Sequence, residues 1–284
     1  MDTLITIKNL SKIYRVGFEK VKALDNIDLE IKKGEICCIL GTSGSGKSTL
    51  LNQLAGLEKP TSGSVYIGKT NISRLSENQL AGFRQKYVGF VFQSYNLIPS
   101  MSAIENVAMP LLFRGVSKST REKEAVSLLK KVGLGSRMKH KPSEMSGGQQ
   151  QRVGIARAFV AKPKIVFADE PTGNLDSHTT LEVMKLLIEM SHQNGITFIL
   201  VTHDRELSRY ADRIITLMDG KVISDEINAH PAYLEENETP GKQAESVNTE
   251  HIDLTSINGV AVQDIVDEMS YTYEANALNH HKGE

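Results

Sequence analysis

The chain has 284 residues, of which 40% are hydrophobic and none is Trp, and its formal net charge is −1. This length can bury a core as one large domain or two small ones. No apolar stretch approaches the roughly 20 residues that span a bilayer, and the first residues lack the basic and then apolar pattern of a secretory signal. These features argue against an integral membrane protein and against a secreted one, so we expect a cytoplasmic chain.

The charge is distributed unevenly. Residues 225–284 hold thirteen Asp or Glu and two Lys, so the preceding part of the chain is basic although the whole is close to neutral. Two interpretations of the basic part remain open. One is a solvated surface together with cations that bind a nucleotide, and the other is attraction to an anionic membrane surface.

The first 40 residues are predicted to be rich in β-strand. Apolar residues cluster at 4–10, 27–31 and 35–40, with Gly34 as a turn. The only cysteines, Cys37 and Cys38, are adjacent on the third of these strands, so their side chains should point to opposite faces. We therefore expect two small buried hydrophobes, and neither a disulfide nor a metal pair.

A glycine-rich segment follows that strand and fits the pattern G-x-x-x-x-G-K-[ST]. Its residues are Gly41, Thr42, Ser43, Gly44, Ser45, Gly46, Lys47, Ser48 and Thr49. Glycine lets backbone N–H groups approach phosphate oxygens, Lys47 places a positive charge near the β- and γ-phosphates, and Ser48 offers a hydroxyl to Mg²⁺. A helix predicted over 47–56 directs its positive end at the same phosphates. The flanking strand and helix favour a nucleoside triphosphate site over a glycine-rich turn that matches by chance.

Strands and helices are predicted to alternate through the rest of the body. The predicted strands are 64–67, 87–92, 165–168, 197–201, 213–218 and 222–227, and the predicted helices lie within 102–160, at 179–191 and at 205–210. Such alternation predicts right-handed βαβ crossovers and a parallel sheet. Asp219 and Gly220 predict a tight hairpin turn between the last two strands.

Two carboxylates, Asp169 and Glu170, end the apolar strand at 165–168. Acidic side chains at the edge of a buried strand are costly unless a cation or a reaction uses them. We expect Asp169 to hold Mg²⁺ through water and Glu170 to polarise an attacking water. The alternative, two solvated acids that begin a turn, is disfavoured by the phosphate loop elsewhere in the chain.

A second anion site is predicted at the N-terminus of a helix over 150–160. Ser146 is a good N-cap, and Gly147 and Gly148, followed by Gln149, expose backbone N–H groups. A chain that already has a phosphate loop does not need a second site for the same nucleotide. We therefore expect this site to serve the nucleotide held by another copy of the chain.

Together, and in their order along residues 3–225, these motifs resemble the ATP-binding subunit of an ABC transporter. The resemblance implies an α/β fold: a P-loop NTPase core with a RecA-like parallel sheet, an antiparallel β subdomain and an α-helical signature subdomain at about 94–160. These parts would form one nucleotide-binding domain over 1–228.

The resemblance also implies roles for single residues. Tyr14 corresponds to the aromatic residue that stacks on adenine, and Gln93 to the glutamine that contacts Mg²⁺ and water and links to the membrane subunit. Residues 146–149 match the signature loop of the family, Asp176 lies in the loop that crosses the dimer interface, and His203 corresponds to the γ-phosphate switch histidine. Taken singly, Tyr14 could be a strand aromatic, Gln93 a surface amide and His203 a loop histidine. Their common register favours the family roles.

Within the family, the segments 91–99, 149–153 and 173–177 are similar to the subunits of macrolide exporters, lipoprotein-releasing systems and a cell-division regulator. The resemblance implies a homodimer that uses ATP and Mg²⁺ and powers a separately encoded integral membrane permease from the cytoplasmic face of the membrane. Export or extraction of a substrate is the expected work, and force transmission without transport is the alternative. A soluble ABC ATPase acting on DNA or ribosomes is a third possibility, disfavoured because neither an inserted coiled coil or zinc module nor a second such domain is visible.

The last part of the chain, residues 229–284, is predicted to be an acidic and largely disordered tail that ATP hydrolysis does not require. Residues 235–241 are polar and rich in breakers, and His280 and His281 are expected to be solvated. One apolar stripe at helical spacing predicts a short helix near 260–270, formed by Val262, Ile265, Val266 and Met269.

Overall fold

The computed structural model describes residues 2–233, so the predicted linker at 235–241, the short helix near 260–270 and the histidines at 280 and 281 lie outside it. The strands are β1 (Thr3–Val16), β2 (Glu19–Lys32), β3 (Ile36–Leu40), β4 (Ser62–Ile67), β5 (Thr70–Asn71), β6 (Val88–Phe92), β7 (Ile165–Asp169), β8 (Thr197–Thr202), β9 (Arg213–Met218) and β10 (Lys221–Ile227). The helices are α1 (Lys47–Leu54), α2 (Glu77–Tyr87), α3 (Ala103–Phe113), α4 (Lys118–Lys131), α5 (Gly147–Phe159), α6 (Ser177–Gln193) and α7 (Arg205–Ser208).

A six-stranded sheet in the order β10-β9-β3-β8-β7-β6 forms the centre of the described part. All neighbouring pairs are parallel except β9 and β10, which form the edge hairpin. Asp219 and Gly220 both have positive φ, 48° and 74°, as a tight hairpin turn requires. The predicted α/β fold with a parallel sheet and a terminal hairpin is therefore confirmed.

The second sheet is antiparallel, in the order β2-β1-β4-β5, as the resemblance implied. Its hairpin β1–β2 is much longer than the predicted strands at 4–10 and 27–31, because pairing between the two strands continues through polar residues. Asn9 and Asn26 have positive φ, and the register shifts beside each of them. Such bulges break the alternation of apolar and polar residues, which is why the sequence pattern underestimated the strands.

Two hydrophobic cores lie on opposite faces of the parallel sheet. Along β3, Ile36 and Cys38 belong to the core shared with α3, α4, α5 and α6, whereas Cys37 and Ile39 belong to the core shared with the antiparallel sheet and α1. Both cysteines are fully buried and free. The prediction that they act as small hydrophobes on opposite faces is confirmed.

Helix α2 is an element that the sequence analysis missed. Ser76 and Gln79 form a capping box at its start, with Ser76 N donating to Gln79 Oε1 at 2.8 Å. The helix ends at Tyr87, so the predicted strand at 87–92 begins one residue later, at Val88.

Helix α5 begins at Gly147, three residues before the predicted start. The reason is again a capping box, in which Ser146 N donates to Gln149 Oε1 at 3.2 Å and Gln149 N donates to Ser146 Oγ at 3.4 Å. Residues 147–149 therefore form the first turn of the helix. Within residues 2–233, no helix is both long and apolar enough to cross a membrane.

Candidate functional site

The glycine-rich loop connects the buried strand β3 to α1 at the carboxyl edge of the parallel sheet, where ligands of such sheets bind. Gly46 has φ 100°, and a Cβ at this position would lie 2.4 Å from Ala23 O, so only glycine fits. Ser45 N donates to Thr42 O at 3.2 Å, and Gly220 N donates to Ser45 O at 3.0 Å. The turn of the hairpin β9–β10 is thus hydrogen-bonded to the glycine-rich loop.

Lys47 and Ser48 are presented at the start of α1. Lys47 is 7% exposed, and its Nζ donates to Thr42 O at 2.7 Å, which keeps the ammonium against the loop. Ser48 Oγ donates to Asp169 Oδ1 at 3.4 Å, across from the end of β7. Burial, followed by the charge of Glu170, raises the pKa of Asp169. A cation beside Asp169 would offset the free-energy cost of holding this partly buried carboxylate in its ionised form.

Glu170 follows directly and is held in an unusual backbone conformation, with φ 46°. Its N–H donates to Val201 O at 2.9 Å, which ties the turn to β8. Its Oε1 lies 2.7 Å from His203 Nδ1, and Thr202 Oγ1 donates to its Oε2 at 3.4 Å. A positive φ outside glycine is strained and is often found at functional sites, and Glu170 lines the same cleft as the phosphate loop.

Gln93 continues from the end of β6 and is held by the segment that follows Glu170. Asn174 Nδ2 donates to Gln93 O at 3.1 Å. Gly173 packs against the Gln93 amide so closely that a Cβ at Gly173 would lie 2.6 Å from Gln93 Nε2. The amide position is therefore defined by a contact between two loops.

These elements form one open cleft of about 610 Å³. Its lining residues are Ala23, Thr42, Ser43, Gly44, Gly46, Lys47, Ser48, Thr49, Gln93, Glu170 and His203. Gly41 and the buried Ser45 belong to the same loop but do not line the cleft, and Asp169 contacts the loop through Ser48. The fold thus brings together most of the residues predicted for phosphate binding and hydrolysis, which come from four separate segments.

The signature residues Ser146, Gly147, Gly148 and Gln149 are not part of this cleft. They cap α5, on the helical side of the molecule, and Asp176 caps the neighbouring helix α6 by accepting from Thr179 N at 3.0 Å. That hydrogen bond lowers the pKa of Asp176. Two helix N-termini therefore stand side by side, away from the phosphate loop of their own chain.

Tyr14 lies on β1, beside the phosphate loop and outside the lining of the cleft. Its hydroxyl donates to Glu58 Oε2 at 2.7 Å. Lys12 Nζ lies 5.1 Å from the centre of its ring.

The structure reveals two further residues that the sequence analysis did not single out. Gln151 is fully buried, and its Nε2 donates to Phe92 O at 3.3 Å and also to Pro171 O, so it joins α5 to the ends of two strands of the sheet. Arg157 donates to Tyr95 O at 2.8 Å and to Asn96 O, in the loop after Gln93. Gln151 is buried and Arg157 is half-buried, and both are polar residues in a helix whose other buried residues are mostly apolar, which is the signal that could have identified them.

Comparison with known proteins identifies the family. The family model described as ABC transporter matches residues 24–173. The chain is 51% identical over 220 residues to an uncharacterized ABC transporter ATP-binding protein of Methanocaldococcus jannaschii, an alignment that covers 78% of this chain and 98% of the relative. It is 46% identical over 225 residues to the lipoprotein-releasing system ATP-binding protein LolD of Geobacter metallireducens, with 79% of this chain and 100% of the relative covered.

Other relatives are longer. The chain is 48% identical over 228 residues to the macrolide export ATP-binding/permease protein MacB of Vibrio parahaemolyticus, which covers 80% of this chain and 35% of that protein. The chain therefore spans about a third of the length of the MacB relatives that it matches. Among solved structures it is similar to a dimeric ATP-binding cassette in a post-hydrolysis state bound to ADP and Pi, with TM-score 0.74, 44% identity and coverage of 79% of this chain and 99% of that one.

The predicted resemblance to the macrolide-export and lipoprotein-release subgroup is thus confirmed by identities of 46–51%. The fold, the cleft beside the glycine-rich loop and these relatives agree with one another. The chain belongs to the ABC transporter family and matches ATP-binding subunits and an ATP-binding cassette of that family over nearly their whole length.

Proposed function

We propose that this chain is a Mg²⁺-dependent ATPase subunit that works as a head-to-tail homodimer and powers a separately encoded membrane permease. The observation that carries the proposal is the convergence of the phosphate loop, the Ser48–Asp169 pair and the Glu170–His203 pair on one cleft. By analogy with the relatives named for macrolide export and lipoprotein release, the work is export or extraction of a substrate, done from the cytoplasmic face of the membrane.

The residues at the cleft fit a magnesium ion. Mg²⁺ prefers hard oxygen ligands and retains several waters. The hydroxyl of Ser48 and the carboxylate of Asp169, 3.4 Å apart, offer such oxygens, and the Gln93 amide faces the same cleft. When bound, the ion would neutralise charge on the β- and γ-phosphates. Asp169, Ser48 and Gln93 are the residues that would hold it.

Hydrolysis requires a water in line with the γ-phosphate and a group that accepts its proton. Glu170 is the base in this proposal: the water oxygen bonds to the γ-phosphorus, the bond from that phosphorus to the bridging oxygen breaks, and the proton passes to the carboxylate. His203 orients the carboxylate through the 2.7 Å contact between Nδ1 and Oε1. Lys47 stabilises the negative charge on the β- and γ-phosphates, and Gln93 orients the water.

The second half of the site comes from the partner subunit in this proposal. The N-terminus of α5 is capped and its first turn could bind an anion. It nevertheless lies outside the cleft of its own chain. A head-to-tail pair would place Ser146, Gly147, Gly148 and Gln149 against the ATP of the other copy. Asp176 would lie between the two copies. ATP then favours the closed dimer because it binds that state better, and hydrolysis reverses the preference.

The permease is proposed to dock beside the loop that follows Gln93. Leu97, Ile98 and Pro99 are apolar, and Leu97 packs against the core while Ile98 is partly exposed. A neighbouring cleft of about 850 Å³ is lined by apolar side chains such as Phe92 and Phe113 together with the polar residues Asn78, Arg84, Gln85 and Arg157. Co-purification of the chain from membranes with an integral partner tests this assignment, and recovery with nucleic acid instead would contradict it.

The variant Glu170→Gln tests the catalytic assignment. It keeps the shape and the acceptor toward His203 but cannot take a proton, so turnover should fall about 10²- to 10⁴-fold, the contribution of a general base, while ATP binding is retained. A dimer should then persist with ATP in gel filtration. Glu189→Gln is the matched control, since Glu189 contacts Gln193 on the exposed side of α6. Turnover at the wild-type rate in Glu170→Gln would remove Glu170 from the catalytic role.

A mixed dimer tests the in-trans assignment. Lys47→Ala should weaken ATP binding in its own copy, whereas Ser146→Arg should leave binding intact and block closure. A mixed dimer of the two variants should carry both lesions at one site and none at the other, so it should retain partial activity. Equally poor ATP binding by both variants as monomers would show that Ser146 acts within its own chain.

A further inference from the structure

Glu58 lies just past the end of α1 and gathers three donors around one carboxylate. Tyr14 donates its hydroxyl to Oε2 at 2.7 Å, and Lys12 Nζ lies 3.2 Å from the same oxygen. Asn52 Nδ2 donates to Oε1 at 3.2 Å. Because Tyr14 belongs to β1 and Asn52 to α1, this one carboxylate joins the antiparallel sheet to the helix that carries the phosphate loop.

The charges of this cluster fix the direction of its central hydrogen bond. Burial opposes ionisation of Glu58, but hydrogen bonds from Tyr14 and Lys12 outweigh it and lower the pKa of the carboxyl. Burial and the bond to Glu58 raise the pKa of Tyr14. At neutral pH the carboxylate therefore only accepts, and the phenol donates to it.

The Tyr14 ring is also restrained from one side. Lys12 Nζ lies 5.1 Å from the ring centre, within cation–π distance, and donates to Lys59 O at 2.8 Å. The side chains of Lys12 and Glu58 are 16% and 32% exposed, so the pair is shielded from much of the solvent. Tyr14 thus has its hydroxyl held by Glu58 and one face of its ring covered by a cation.

We propose that Glu58 is a positioning residue for nucleotide recognition: it holds the Tyr14 ring beside the phosphate loop in the place where it receives the base of a nucleoside triphosphate. The inference rests on the proposed role of Tyr14 in base stacking. Glu58 touches neither phosphate nor base. It acts through Tyr14, so its contribution concerns the base and leaves the triphosphate contacts unchanged.

The test measures two ligands on the full-length chain by titration calorimetry: ATP, which has a base, and inorganic tripolyphosphate, which lacks one. Glu58→Ala and Tyr14→Phe should each weaken ATP binding about 3- to 10-fold, the value of one hydrogen bond. Neither should change tripolyphosphate binding. Glu58→Gln keeps an acceptor and should recover most of the ATP affinity. Glu77→Gln is the control, because Glu77 is exposed and pairs only at 3.8 Å with Lys59.

Further variants distinguish a failure of the positioning role of Glu58 from a failure of the stacking role of Tyr14. The double variant Glu58→Ala, Tyr14→Phe should bind ATP no more weakly than the weaker single variant, since both remove the same contact. If Tyr14→Ala binds ATP like the wild type, the stacking role of Tyr14 fails and the inference fails with it. If Tyr14→Ala weakens ATP but Glu58→Ala does not, the inference alone is wrong. Equal losses of ATP and tripolyphosphate in Glu58→Ala would show that Glu58 supports the phosphate loop, which also overturns it.

Discussion

The contact between Gly173 and Gln93 allows a substitution that moves one amide and little else. A Cβ at Gly173 would lie 2.6 Å from Gln93 Nε2 and 3.1 Å from Cδ, whereas ordinary contacts begin near 3.4 Å. The amide must therefore retreat by about 0.8 Å in Gly173→Ala, the difference between 2.6 and 3.4 Å. Gly173 does not have positive φ, so alanine adopts its backbone conformation without strain.

The expected result is a loss of turnover with little loss of stability. The end of the Gln93 side chain is flexible, so the free energy of unfolding should change by less than about 1 kcal/mol. A misplacement of about 1 Å at a reacting centre costs about 10²-fold, so we expect turnover at saturating ATP to fall about 10- to 100-fold. The affinity for ATP should change little, because the phosphate loop is untouched.

Phosphate release at saturating ATP and thermal unfolding measure the two quantities side by side. Gly82→Ala is the matched control: a Cβ there meets nothing within 4 Å, and Gly82 lies inside α2 with φ in the ordinary range. It should stabilise the chain by about 0.5–1 kcal/mol and keep wild-type turnover in the isolated subunit. Unchanged turnover in a folded Gly173→Ala variant would refute the reasoning, because the observed position of the Gln93 amide would then not matter for hydrolysis.

Three further outcomes are expected. Asn106→Ala should cost about 2–3 kcal/mol in urea unfolding, because the fully buried amide accepts from Ile98 N at 2.8 Å and donates to Met101 O at 3.1 Å, and alanine can make neither hydrogen bond; a smaller change than about 0.5 kcal/mol would contradict this. A chain ending at residue 228 should keep its ATPase activity but melt about 2–4 °C lower than one ending at 233, since Tyr233 donates to Asp212 Oδ1 at 2.6 Å; equal melting temperatures would show that the bond contributes nothing. Burial raises the pKa of Cys38 to about 12, so neither buried cysteine should react with a thiol reagent at pH 8 until the chain unfolds, and rapid labelling of the native protein would count against the two cores.

The sequence by itself was sufficient for the parts of the protein that depend on local pattern. The phosphate loop is a contiguous segment whose glycines and lysine act together because they are neighbours, and Asp169 and Glu170 are adjacent at one strand end. Alternation along residues 165–218 likewise predicted the parallel sheet, because buried strands and amphipathic helices have different periods. These predictions depend only on residues that are close together along the chain.

The predicted strands and helices were incomplete where the periodic pattern of apolar and polar residues is interrupted. Positive φ at Asn9 and Asn26 shifts the alternation within β1 and β2, so the hairpin was predicted too short. The apolar stripe of helix α2 is short, with only Leu80, Phe83 and Tyr87 buried, and the helix was missed, although its capping box at Ser76 and Gln79 is a local signal that could have revealed it. The same kind of box moves the start of α5 to Gly147.

Tertiary structure alone decided which separated residues meet. Tyr14 and Glu58 are 44 positions apart, and His203 and Glu170 are 33 apart, yet each pair lies 2.7 Å from atom to atom. The placement of the signature turn outside its own cleft was likewise set by how α5 packs on the sheet through Gln151. A sequence specifies its segments through short-range spacing, whereas contacts between segments depend on crossovers and core packing that bring distant strand ends to one edge of the sheet.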